Sequence, residues 1–178
     1  MCLAEDVEPG EILCDGQPQD EFPAVNASLR ELMERIRRLT AHVPAEAELG
    51  FHLCYGDFCA KHFVEPIDAS RLVEVANTLS RVVDHAIAYV HMPVPLTRSD
   101  DDYFRPLTGL RLKPETELYL GLIHAQDGVE GARKRIATAR KYATNFGVGT
   151  ECGMARARKP DLVRTLLQLH VELVREPA

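Results

Sequence analysis

The sequence is poor in several features that mark whole classes of protein. It contains no Trp, and aromatic residues make up only 6% of its 178 residues, which disfavours stacking platforms for sugars or nucleic-acid bases. Lys and Arg number 21 against 27 Asp and Glu, a net charge of −6, so the chain lacks a broad basic surface for phosphates. We therefore predict no nucleic-acid partner, and a small molecule is the expected substrate by elimination.

Long apolar runs and an export signal are also missing. The first residues, MCLAEDVEPGE, lack a basic segment followed by an apolar one, and no apolar run approaches the roughly 20 residues that cross a bilayer. The five cysteines are odd in number and form no CxxC pair, which is typical of thiols used for ligation or chemistry in a reducing compartment. These absences predict a cytoplasmic protein without membrane association.

The apolar pattern alternates between helical and strand spacing. Helices are predicted over 26–42, 69–83, 128–142 and 161–174, and strands over 48–55, 86–90, 118–124 and 146–150. The polar, proline-bearing stretch 96–114 is predicted to be a long loop with one short helix near Tyr103. The whole chain, 1–178, is interpreted as a single domain with an irregular start (1–25, with a strand or loop in 2–14) followed by βα units (26–178).

Strands that alternate with helices predict an α/β fold with a parallel sheet and right-handed crossovers. Four βα units are too few for a closed eight-stranded barrel, which takes about 250 residues. Two architectures remain: a small open sheet, or half of a TIM-type (β/α)8 barrel whose other half lies on another chain or has been lost.

Residues that bind metals or move protons fall at the predicted carboxyl ends of the strands. They are His52 and Cys54 at the end of the first strand, His91 at the end of the second, His124 at the end of the third, and Glu151 and Cys152 at the end of the fourth. These ends line the ligand site in parallel α/β folds, so we expect one composite site. The alternative is that each is a buried, hydrogen-bonded core residue.

His52 and Cys54 are two residues apart, so on a strand their side chains share a face and reach a single metal ion. Cys152 is a candidate third ligand, and a set of imidazole and thiolates is what zinc prefers, with a fourth position left for substrate. Arg98, beside three aspartates in the loop PVPLTRSDDDYF, either clamps a substrate carboxylate or belongs to a solvated charge cluster.

Four short motifs resemble the catalytic barrel of cobalamin-independent methionine synthase, and they occur in that family's order. GFHLCYGDF resembles its H-x-C-Y-x-D-F segment, LGLIHAQD its strand ending in D-I-H, TECGMAR its D-C-G segment, and DVEPGEIL, faintly, its D-E-P-A-L stretch. The chain is thus similar to the second half of a barrel from the superfamily that also includes uroporphyrinogen decarboxylase.

The resemblance implies a zinc ion that binds the homocysteine thiol and presents the thiolate to the methyl group of methyltetrahydrofolate. By the same resemblance His52, Cys54 and Cys152 are zinc ligands and His124 is the general acid that protonates the departing folate nitrogen. Asp6 and Asp57 are then expected in the substrate site. Where the family has a glutamate ligand in I-E-x-S-R, this chain reads YVHMPVPLTR, so His91 is a candidate fourth ligand.

The leading hypothesis is therefore a zinc-dependent methyltransferase-like domain that acts on a thiol. A second hypothesis is a metal-free decarboxylase or lyase in which Arg98 anchors carboxylates and Asp57 or His124 moves protons. A third is a catalytically inactive half-barrel that serves as an assembly partner. A half-barrel leaves two sheet edges and a large apolar face uncovered, so self-association or pairing with a second half-barrel chain is expected.

Overall fold

The computed structural model describes residues 29–56, 62, 65–154 and 158–175. The irregular start predicted for 1–25 and the substrate-site candidates Asp6 and Asp57 lie outside these residues. Within the described residues the elements follow the predicted order: α1 (Leu29–Thr40), β1 (Leu49–His52), α2 (Ser70–Val82), β2 (Ile87–Pro93), α3 (Asp101–Phe104) with a 3₁₀ turn (Arg105–Gly109), β3 (Glu117–Ile123), α4 (Gly128–Ala139), β4 (Gly147–Thr150) and α5 (Pro160–Arg175).

The four strands form one sheet in the order β1-β2-β3-β4, and every neighbouring pair is parallel. Strands laid down in chain order make the wall of a barrel, whereas a doubly wound open sheet reverses its order at a switch point. The predicted α/β class with parallel βα repeats is confirmed, and of the two architectures the structure has the half-barrel arrangement.

Three predicted element boundaries are wrong by a few residues. β1 ends at His52 instead of residue 55, because after the bond from the Leu53 amide to the His91 carbonyl (2.9 Å) the ladder stops. β2 continues to Pro93 instead of ending at Val90; proline is tolerated there because it occupies the last strand position. α4 ends at Ala139 instead of residue 142, because the Tyr142 amide bonds the Ala139 carbonyl in an i→i+3 pattern and the chain leaves the helix in a tighter turn.

The core lies on one face of the sheet. Side chains at alternate strand positions, such as Val90, Met92 and Leu120, are buried against the apolar stripe of α2, which carries Leu72 and Leu79. None of the described helices combines the length and the apolar character needed to cross a bilayer.

The opposite face, which we call the open face, carries His52, His91, tyrosines and glycines rather than the expected aliphatic side chains. The rings of Tyr89 and Tyr119 occupy the space next to Gly50 and Gly147: a Cβ atom at Gly50 would come within 2.2 Å of the Tyr89 ring, and one at Gly147 within 2.3 Å of the Tyr119 ring. The two rings meet edge to face at 6.0 Å. Because Gly50 and Gly147 have no side chains, the two tyrosine rings fit on the open face.

Candidate metal centre

Three predicted ligands meet at the carboxyl edge of the sheet. His52 is the last residue of β1, Cys54 follows in the next turn, and Cys152 lies just beyond β4. One ligand atom from each lies within 4.8 Å of the others, and the Cys152 Sγ is 3.6 Å from the His52 Nε2. We call these residues the three-ligand group.

The donor set and the spacing of this group fit zinc. Tetrahedral zinc with N and S ligands at about 2.0–2.3 Å places neighbouring ligand atoms about 3.5 Å apart, close to the 3.6 Å between His52 Nε2 and Cys152 Sγ. His52 and Cys54 are exposed and Cys152 is half-buried, so a metal ion has a path from solvent.

The turn after β1 fixes the position of Cys54. The Gly56 amide donates a hydrogen bond to the Cys54 Sγ (3.3 Å), and Gly56 has φ 104°, a backbone conformation that favours glycine. Next to it, the Tyr55 and Tyr103 hydroxyls lie 3.1 Å apart, and the Tyr103 hydroxyl donates to the Pro93 carbonyl at 3.0 Å. Burial raises the pKa of Tyr55 to about 12, so this phenol stays protonated and anchors the turn.

His91 lies beside the three-ligand group, not within it. Its Nδ1 is 2.7 Å from the His52 Nδ1, and the two rings stack with centroids 4.9 Å apart. Burial, reinforced by the nearby His52, lowers the pKa of His91 to about 4. Its assignment as a fourth metal ligand stays a prediction.

A second group of titratable side chains, the carboxylate cluster, adjoins the metal centre. Glu151 Oε1 is 2.8 Å from His62 Nε2, and Glu151 Oε2 is 3.7 Å from His124 Nδ1. The His124 Nε2 bonds the Val94 carbonyl at 2.8 Å. Burial raises the pKa of Glu151; burial and the positive charge of Arg135 lower the pKa of His124 to about 4.

Sequence reasoning missed two members of this region. No local pattern relates His62 to Glu151, 89 positions later in the chain. Arg135, within the helix predicted over 128–142, is 1% exposed and binds both carboxylate oxygens of Asp127 (2.6 and 2.8 Å) and the Leu122 carbonyl (2.8 Å). Arg135 therefore stabilises the carboxyl end of β3, close to His124.

Arg98 is held within the loop that follows β2. Its guanidinium forms two bonds with Asp100 (2.9 and 3.0 Å), donates to the carbonyls of Pro66 and Ile67, and lies 5.0 Å from the centre of the Tyr103 ring. These contacts give Arg98 a structural role in joining two loops. Its role as a carboxylate clamp stays a prediction.

Comparison with known proteins finds similarity at the level of solved structures. No family model and no curated protein matches the chain. Among solved structures, the chain is similar to a "Putative Vitamin-B12 Independent Methionine Synthase" from Listeria monocytogenes, with 19% sequence identity and a TM-score of 0.49. The match covers 83% of this chain and 42% of the neighbour, so the chain spans less than half of that protein's length.

Proposed function

We propose that this chain is a zinc-dependent, methyltransferase-like domain that holds a small-molecule thiol at the carboxyl edge of its sheet for transfer of a methyl group. The observation that carries the proposal is the convergence of His52, Cys54 and Cys152, whose ligand atoms lie within 4.8 Å of one another. The motif resemblance adds the reaction class and a methyltetrahydrofolate donor; the donor rests on that resemblance alone.

Zinc bound by such a set lowers the pKa of a coordinated thiol and yields a thiolate near neutral pH. His52, Cys54 and Cys152 would hold the ion, and a fourth position would remain for the substrate sulfur. In the carboxylate cluster, Glu151, whose pKa is raised by burial, faces the Nδ1 of His124. We propose that His124 and Glu151 together supply the proton taken up by the leaving group.

Metal content tests the proposal directly. Protein purified without added metal and passed through size exclusion should carry about one zinc per chain by elemental mass spectrometry, because mixed sulfur and nitrogen sites bind zinc tightly. Cys54→Ser and Cys152→Ser should each lose most of it, since each removes a thiolate ligand. His42→Ala, an exposed histidine outside the group, is the control and should keep its zinc.

Two results would contradict the proposal. Full zinc in Cys54→Ser would show that the metal binds elsewhere, and a wild-type protein that takes up no zinc under reducing conditions would remove thiol activation altogether.

A metal-free lyase is the second candidate, and the half-buried contact of Glu151 with His62 and His124 favours it. Such an enzyme would work in the presence of a chelator and lose activity in Glu151→Gln. The methyltransferase would lose activity to the chelator and regain it with zinc.

A further inference from the structure

A groove between α1 and α2 combines an apolar surface with positive charge. Its cavity of about 690 Å³ is lined by residues of both helices and by one residue that precedes β3. The apolar part of the lining is Leu29, Met33 and Val82. The lining also includes four exposed arginines: Arg30, Arg37, Arg81 and Arg111. No residue of the three-ligand group lines the groove.

Part of this positive charge has no counterpart among the described residues. The two glutamates that line the groove each form an ion pair with an arginine of their own helix: Glu34 with Arg37 and Glu74 with Arg71. Arg81 and Arg111 bond only hydroxyl and carbonyl oxygens in the part of the chain that the structure describes. These two guanidinium groups can therefore accommodate a carboxylate from elsewhere.

Local contacts restrict both guanidinium groups to the groove. The Arg111 Nη1 donates to the carbonyls of Thr108 (3.0 Å) and Leu110 (2.8 Å), and the Arg81 Nη2 donates to the Thr78 hydroxyl (3.1 Å). A guanidinium carries five N–H donors, so each arginine keeps donors for an anion. Because these side chains are already held in place, they lose less conformational entropy when an anion binds.

The segment that precedes α1, residues 1–28, has the complementary charge and lies outside the described residues. All seven of its charged side chains are acidic, so it carries −7 in a chain whose net charge is −6. Two of these acids, Asp20 and Glu21, are followed directly by Phe22. Extended chain from Glu21 to Leu29 spans up to about 26 Å, whereas α1 rises only about 10 Å along the groove from its first arginine to Arg37. The acidic pair is therefore within reach of the whole groove.

We propose that the groove between α1 and α2 binds the acidic segment of its own chain, with Asp20 and Glu21 against Arg81 and Arg111. Arginine binds carboxylates through parallel N–H bonds, and Phe22 adds apolar contact with the lining of the groove. The charge of the segment, its attachment at Leu29 and its length all favour this occupant over a separate acidic peptide. The proposal is independent of the metal centre.

Cross-linking of the full chain tests which residues meet. Arg81→Lys and Arg111→Lys each keep the positive charge and introduce an amine, which a zero-length carbodiimide joins to a carboxylate in contact with it. Mass spectrometry should find the introduced amine joined to Asp20 or Glu21. Arg35→Lys is the matched control, because Arg35 is exposed on α1 but does not line the groove, and its amine should form no link to the segment. A mixture of ¹⁵N-labelled and unlabelled copies distinguishes links within one chain from links between chains.

Proteolysis is the second readout. A glutamate-specific protease should cleave after Glu21 about five-fold faster in the double variant Arg81→Glu/Arg111→Glu than in wild type, the size expected for the loss of two exposed ion pairs. Arg35→Glu is again the control and should be cleaved at the wild-type rate. At high salt the difference between the double variant and wild type should disappear, because exposed charges are screened. Circular dichroism checks that each variant is folded.

Three outcomes overturn the inference. One is the absence of any link from either introduced amine to Asp20 or Glu21, or an equal yield of such links in Arg35→Lys. Another is a set of links found only between copies, which would make the occupant the segment of a second copy. The third is an equal rate of cleavage after Glu21 in wild type and the double variant at low salt.

Discussion

At the scale of single residues, the surroundings of His124 decide its charge. The side chain is 6% exposed, bonds the Val94 carbonyl and lies near the buried guanidinium of Arg135. Because burial and this positive charge both disfavour imidazolium, His124 is neutral at neutral pH, with a pKa of about 4. If His124 acts as the proton donor that we propose, its proton must therefore come from a neighbouring acid, and a Glu151 carboxylate oxygen lies 3.7 Å from its Nδ1.

This burial predicts a pH-dependent stability. A histidine with a pKa of about 4 in the folded protein and about 6.5 when unfolded binds more protons in the unfolded chain between these values. Its contribution is complete above pH 6.5 and is lost as the pH falls toward 4, on the order of 2–3 kcal/mol. The free energy of unfolding in urea should therefore decrease between pH 7 and pH 5 by less in His124→Gln than in wild type.

The comparison of variants isolates His124 from its neighbours. The lowered pKa of His91 also makes the protein less stable as the pH falls, whereas the raised pKa of Glu151, caused by burial, has the opposite effect on stability. His42→Gln changes an exposed histidine and should show the same decrease in the free energy of unfolding between pH 7 and pH 5 as the wild type. An equal decrease in wild type and His124→Gln would show that His124 is not protected from protonation in the folded protein.

At the scale of elements, the position of the three-ligand group depends on how closely β3 approaches the end of β4. A Cβ atom at Gly121 would lie 2.7 Å from the Glu151 Cα and 3.0 Å from the Thr150 oxygen. These are backbone atoms, which cannot rotate away as a side chain does. Glycine in β3 thus allows the backbone that carries Glu151 and Cys152 to come against the sheet.

We predict that Gly121→Ala displaces the end of β4. The free energy of unfolding of the variant should be lower by about 1–3 kcal/mol, the usual cost of overpacking. The variant should also bind zinc more weakly, because Cys152 moves with Glu151. Denaturant unfolding and zinc competition measure the two effects. Gly109→Ala is the matched control, because its Cβ would meet only the Val73 Cγ1 at 3.9 Å. Wild-type stability and zinc binding in Gly121→Ala would contradict this account of the β3–β4 contact.

The apolar periodicity predicted the type and order of the elements well and their ends less well. Periodicity reports which face of an element is buried, and this held for α2 and for the alternating positions of β2 and β3. An element ends where its hydrogen bonds end, and that depends on partners elsewhere in the chain. The pattern over 48–55 continues past His52, but β2 offers β1 no further ladder bond after the one to Leu53.

At the scale of the whole molecule, the half-barrel leaves surfaces that a closed barrel would cover. Among the described residues, β1 and β4 each pair with a single strand. On the open face between them, Tyr89 is 43% exposed. Unpaired edges and uncovered aromatic surface favour association.

We predict that two copies of the chain associate through the open face. Sedimentation velocity should show a dimer whose dissociation increases on dilution, and Tyr89→Arg, which places a charge in the interface, should give a monomer. Leu39→Arg is the control, because Leu39 is 71% exposed but lies on α1, away from the open face. A wild-type monomer at all concentrations with a cooperative thermal transition would contradict the prediction.

Patterns along the chain were enough to predict the alternation of strands and helices, the parallel sheet, and the location of His52, Cys54 and Cys152 near strand ends. These are local properties, since side-chain periodicity and strand-terminal position are set by neighbours along the chain. The atoms that meet across the fold could be known from the three-dimensional arrangement alone: His91 with the Nδ1 of His52, His62 with Glu151, and Arg135 with Asp127. Contacts between segments depend on sheet register and loop path, and no short stretch of sequence encodes either of these alone.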